Sequence, residues 1–178
     1  MAGMAHSGFS HAKKALFDRA SMVLVPPEGV TIETLEQVKQ IFLSIGFTHI
    51  QITTAEEHDQ MIAFTSQLAH VVSSAYIKSP VAKSHDGFSA GSYRDLTRVA
   101  KLDENMWTEL FLDNPDFLSK EIETLAGRLL EYSVAIRQGD AGTLRQLLRE
   151  GREEKERIDK ERLDRKSTRL NSSHGRRS

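Results

Sequence analysis

Ser21-Met22-Val23-Leu24-Val25 is a short, β-rich apolar run halted by Pro26-Pro27, the pattern of a buried strand. The period then lengthens. Leu35, Val38, Phe42 and Ile45 recur at helical spacing, with Thr31 placed to cap the helix and Gly46 to end it. Thr48 to Thr53 alternates again and predicts a second strand. Strand, helix and strand in that order make one βαβ unit, which requires parallel pairing.

From Thr54 the pattern is helical throughout. Thr54 and Glu57 have the spacing of a capping box and open a helix expected to run to about Ser79, before Pro80. Residues 83–92 read as loop, followed by short helices around Tyr93–Ala100 and Asp103–Leu112. Asn114-Pro115 starts a long helix, with Asn114 as cap and proline at the first position. Along it Leu118, Ile122, Leu125, Leu129, Tyr132 and Ile136 step by four and three, a seam of the kind helices use to pack along one another. Gly139-Asp140 breaks that helix. A last one carries Leu144, Leu147 and Leu148, then becomes almost wholly charged.

Composition narrows this reading little. The chain has 178 residues, 39% hydrophobic and 28% charged, as expected of a globular protein with exposed helices. From Arg145 onward there are 12 basic and 7 acidic residues, against 12 and 18 before it. The acids are interleaved with the bases, so a solvated helix is the reading and no nucleic-acid partner is expected. With no cysteine, neither disulfides nor thiol chemistry can operate. No apolar run suits a bilayer and the N-terminus lacks signal-peptide order, so no membrane partner and a cytoplasmic location are expected. The seven histidines include no i, i+4 pair with an intervening acid, and no metal is assigned.

The candidate chemistry lies in Gly91 to Trp107, G-S-Y-R-D-L-T-R-V-A-K-L-D-E-N-M-W. Asp95 and Arg98 stand three apart, which on a helix puts both on one face and lets the acid orient the guanidinium. This block resembles the G-G-G-F-R-D-x-T-R-I-A…M-W signature of the prephenate dehydrogenase family. Upstream, His58-Asp59 and Ser66-Gln67-Leu68-Ala69-His70 resemble the family's H-D…S-x-L-P-H helix, with Ala69 where proline is usual. Met1-Ala2-Gly3 with Ser7-Gly8-Phe9-Ser10-His11-Ala12 is similar to its H-P-M-A-G-x-x-x-S-G-F-x-H-A stretch.

The resemblance implies a mainly α fold, a C-terminal helical dimerisation domain preceded by the last βαβ portion of a Rossmann-type domain. Residues 1–53 would be that remnant and 54–163 the helical dimerisation and substrate-binding domain. Residues 164–178 resemble a translated sequencing adapter and are expected to be a non-native tail. No catalytic residue falls in this chain, because the family's catalytic histidine would stand just before Met1; the chain reads as a fragment.

The implied reaction is NAD- or NADP-dependent oxidative decarboxylation of prephenate to 4-hydroxyphenylpyruvate, in tyrosine biosynthesis. Arogenate is the alternative substrate and a homodimer the implied assembly. Arg98 would grip a substrate carboxylate, which a planar guanidinium can bind bidentately. Asp95 would orient it. Ser66, His70 and Trp107 would line the pocket, although Trp107 equally suits a core anchor. Gly87-Phe88-Ser89-Ala90-Gly91 lacks G-x-G-x-x-G spacing and is read as a loop that admits substrate. A reading from another class, a helical dimerisation module without activity, stays open.

Overall fold

The structure is a computed structural model that describes residues 8–88 and 90–174, with side chains up to Asp164. The expected tail, 164–178, therefore lies largely outside the described side chains, although the backbone is helical to His174. So does the Met1-Ala2-Gly3 part of the N-terminal stretch. The described chain divides into two compact units, up to Ile122 and from Glu123 onward.

The first unit opens with the expected βαβ. Strands β1 (Ser21–Leu24) and β2 (His49–Ile52) pair in parallel, Ser21 opposite His49 and Leu24 opposite Ile52. Helix α1 (Ile32–Ser44) joins them, capped by the Thr31 hydroxyl, which accepts from the Thr34 N–H at 3.2 Å. Leu35, Val38 and Phe42 are half-buried as the helical period predicts. Ile45 departs from it: the helix ends one residue earlier and Ile45 is 48% exposed. Its place is taken by Phe47, buried, stacked on Phe17 at 4.8 Å and edge-on to Phe42 at 5.8 Å. Gly46 between them has φ +113°, and a Cβ there would stand 3.1 Å from the Asp18 carboxylate, so both backbone and space call for glycine.

The long helix expected from Thr54 is interrupted. Its capping box forms: Thr54 accepts from the Glu57 N–H at 3.1 Å and Glu57 accepts from the Thr54 N–H at 3.5 Å. Helix α2 (Ala55–Ile62) then passes through a π turn (Ala63–Gln67) into α3 (Leu68–Ile77). The Thr65 hydroxyl donates to the Met61 carbonyl at 2.6 Å beside that turn. A π turn carries one residue more than an α turn, so residues before it sit roughly 100° from where a continuous helix would put them. Helices α4 (Gly91–Thr97), α5 (Glu104–Leu112) and α6 (Pro115–Gln138) follow. Asp103 caps α5 by accepting from the N–H groups of Asn105 and Met106.

In the second unit, α6 ends at Gly139, φ +65°, where the Asp140 N–H donates to the Ala135 carbonyl at 3.0 Å. Asp140 then caps α7 (Ala141–His174), accepting from the Thr143 N–H and hydroxyl. The Tyr132 hydroxyl donates to the Leu147 carbonyl, tying α6 to α7. The four-and-three seam is not covered as a whole. Leu118 is buried and Ile122, Leu125 and Tyr132 half-buried, whereas Leu129 and Ile136 are 60% and 62% exposed. No helix among the described residues is long and apolar enough to cross a membrane.

Candidate functional site

The site is built on α3, the α4 end and α5. Its frame is polar and buried. Gln67, the last residue of the π turn, donates to the Leu110 carbonyl of α5 at 2.7 Å. Asn114, just before α6, donates to the Asp59 carbonyl at 2.8 Å and to the Gln67 side-chain oxygen at 3.0 Å. Both amides are more than nine-tenths buried, where an unpaired polar group would be costly. These bonds fix α5 against the turn that carries Ser66. None of them was legible in the sequence: Asn114 read only as a helix start, and Gln67 only as the variable position of the Ser66–His70 motif.

On this frame two of the expected residues meet. The rings of His70 (α3) and Trp107 (α5) lie 3.8 Å apart at 39°, and Trp107 continues onto Phe111 at 5.4 Å. His70 Nδ1 is 3.1 Å from the Val99 carbonyl oxygen. A carbonyl only accepts, so Nδ1 carries a proton and donates to it, which leaves Nε2 as the ring nitrogen that faces other partners. That bond also pins the backbone next to Arg98 to α3. A groove of about 290 Å³ borders the pair, lined among others by Ser74, Lys78, Glu104 and Phe111. Ser66 is half-buried in the π turn, one turn before His70.

Helix α4 is held by Tyr93, whose ring lies 6.1 Å from Tyr76 of α3 and 4.5 Å from His85. The Thr97 hydroxyl donates back to the Tyr93 carbonyl at 2.8 Å. Asp95 and Arg98 do not form the pair that their spacing predicts. The helix stops at Thr97, so Arg98 is its C-terminal cap, and both side chains are exposed. Among the described residues neither meets an ionic partner. His58 bonds its neighbour Asp59 at 2.8 Å near the start of α2, a local contact away from the His70–Trp107 pair.

The turn into α1, Val25-Pro26-Pro27-Glu28-Gly29-Val30-Thr31, offers no dinucleotide phosphate cradle. Two prolines remove backbone donors and Glu28 would repel an anion. What the described residues offer is an aromatic wall, a histidine nitrogen and an unpaired guanidinium. All three stand in the helical domain that follows β2.

Comparison with known proteins identifies that domain. A family model described as the prephenate dehydrogenase dimerization domain matches residues 54–150, more than half of the chain, which therefore belongs to that family. The prephenate dehydrogenase of Lactococcus lactis subsp. cremoris is 31% identical over 157 residues, 85% of this chain and 42% of the relative. A crystal structure of Synechocystis arogenate dehydrogenase matches with a TM-score of 0.74 and 25% identity, covering 88% of this chain and 59% of that one. A prephenate dehydrogenase from A. aeolicus, solved with hydroxyphenyl propionate and NAD+, shares the fold at a TM-score of 0.74 and 24% identity, covering 88% and 56%. This chain thus spans about half the length of the relatives it matches.

Proposed function

We propose that these residues form the helical part of a dehydrogenase that converts prephenate to 4-hydroxyphenylpyruvate by oxidative decarboxylation, in tyrosine biosynthesis. Arogenate is the alternative substrate of the same site. The observation that carries the reading is the His70–Trp107 contact, with His70 bonded to the carbonyl beside Arg98. It brings two of the candidate residues together and holds the backbone beside a third.

In this reading Arg98 binds a substrate carboxylate through its planar fork. Its exposure and lack of an ionic partner suit a group that waits for an anion. His70 Nε2 accepts a hydrogen bond from substrate, with its ring held by Val99 and Trp107. Trp107 and Ser66 supply the wall and a hydroxyl. A nicotinamide dinucleotide, NAD or NADP, would supply the hydride acceptor; the loops described here do not cradle its phosphates, so this chain's share is substrate positioning. Positioning of this kind can account for much of a barrier reduction.

The chain is also proposed to pair with a second copy. Support comes from the family's dimerization domain and from the uncovered seam residues Leu129 and Ile136. Light scattering should find a dimer at micromolar concentration; a well-folded monomer there would refute it. On its own the 178-residue chain is expected to show no dehydrogenase activity and no tight nucleotide binding, which calorimetry with NAD checks.

The enzymatic reading is tested at Arg98 in the full-length protein. Arg98→Ala should cost roughly 2–4 kcal/mol of transition-state binding, about 30- to 1,000-fold in kcat/KM. Arg98→Lys should restore only part, since it keeps the charge and loses the fork. Cofactor affinity should barely change. Arg137, exposed on α6, is the control. Unaltered prephenate kinetics in Arg98→Ala would sink the reading.

A further inference from the structure

Past Leu148 the last helix ceases to have an apolar face. Residues 149–162 contain six bases and six acids, with only Gly151 and Ile158 uncharged. Every side chain in that stretch is exposed. The charges nevertheless pair along the axis. Arg152 meets Glu156 at 3.0 Å and Lys155 meets Asp159, each four residues on. Arg157 reaches in both directions, to Glu161 at 3.0 Å and back to Glu154. The Glu154 carboxyl is accordingly held below its ordinary value by Arg157. The sequence offers alternates at the same spacing, Glu153 with Arg157 and Glu156 with Lys160, so the ladder can exchange partners without leaving the helix.

Two considerations separate this stretch from a helix that awaits a partner. A packing seam needs apolar residues at every turn. Ile158, 49% exposed, has only charged residues three and four positions to either side. An isolated helix of this length is marginal in water because its first turn is hard to form. Here that turn is already supplied, because α7 starts at the Asp140 cap and is tied to α6 through Tyr132 and Leu147.

We propose that residues 149–164 are a self-supporting helical arm, held by its own ion-pair ladder and acting as a stiff spacer about 21 Å long from Arg149 to Leu163. Such an arm sets distance and direction together, which a flexible linker does not. The proposal stands independently of the enzymatic reading.

The chain has no cysteine, so Arg149→Cys and Leu163→Cys take spin labels cleanly, and double electron–electron resonance on the whole chain reads their separation. A flexible coil of this length averages roughly 20 Å as well, so the width of the distribution is the readout and not its mean. A narrow distribution is expected, and it should stay narrow with Ile158→Lys. Glu156→Lys combined with Glu161→Lys makes the Arg152 and Arg157 contacts repulsive and should broaden it. A broad distribution in the unaltered arm overturns the proposal, as does one left narrow by the two charge reversals. So does broadening by Ile158→Lys equal to theirs, which would mean that the arm rests on a surface.

Discussion

Helix α3 and the second half of α7 are both regular helix, yet they are helical for opposite reasons. Along α3 the decisive bonds are long-range: His70 reaches Val99, and Gln67 just before it reaches Leu110 and Asn114. Along α7 beyond Leu148 the side-chain bonds of Arg152, Lys155 and Arg157 stay within four residues. The first helix is placed by the rest of its unit and can position a functional ring to within a hydrogen bond. The second is independent of its surroundings and can position only what lies along its own axis. A pocket therefore belongs on the first kind of helix.

The largest expected break in this contrast comes from equal truncations at unequal burial. Leu118, 4% exposed, loses its packing in Leu118→Ala, which should cost about 2–5 kcal/mol. Ile158→Ala should stay within about 0.5 kcal/mol, since its side chain is 49% exposed. Urea unfolding followed by circular dichroism measures both, and comparable losses at the two sites would erase the distinction. A smaller break separates the polar contacts. Asn114→Ala leaves the buried Gln67 oxygen without its donor, while the Asp59 carbonyl keeps the Ala63 N–H, and should cost about 1–3 kcal/mol. Lys155→Ala opens an exposed pair with Asp159 and should cost about 0.3–0.5 kcal/mol.

The same contrast explains what could be read in the sequence. The caps at Thr31 and Thr54 were legible because they join residues three apart. The parallel βαβ was legible because period and connection length decide it. The π turn at Ala63–Gln67 was not, since nothing local distinguishes it from the continuous helix expected there. Nor was the Gln67–Asn114 bond, whose partners stand 47 residues apart. The seam on α6 shows a third case. The four-and-three spacing was real, but which members are covered depends on what each packs against, and Leu129 and Ile136 stay exposed in the single chain. At the site, the contact between His70 and Trp107 joins residues 37 apart and was not legible either. Asp95 and Arg98 did not pair, although the backbone at Arg98 is still helical, φ −52° and ψ −37°; both side chains turn to solvent, where such a pair contributes little.

A further effect concerns the boundary between βαβ and helices, and pH resolves it. Thr54→Ala removes the cap of α2 and should cost about 1 kcal/mol. The Glu57 carboxyl, on the same cap, is held below its ordinary value, first by the Thr53 hydroxyl, which donates to it at 2.6 Å, and then by the Thr54 N–H. Because the folded value lies below the unfolded one, the stabilisation is complete above the ordinary glutamate range, near about 4.3, and is lost as pH falls through the folded value. Glu57→Gln keeps an acceptor oxygen and removes the titration. It should therefore lower stability slightly at neutral pH and flatten the dependence of the unfolding midpoint below about pH 5. Asp140, likewise held low by Thr143, keeps titrating and leaves a residual slope, which Asp140→Asn should remove in turn. Equal slopes in the original chain and in Glu57→Gln would mean that the exposed capping carboxylate is screened by solvent and contributes nothing to acid sensitivity.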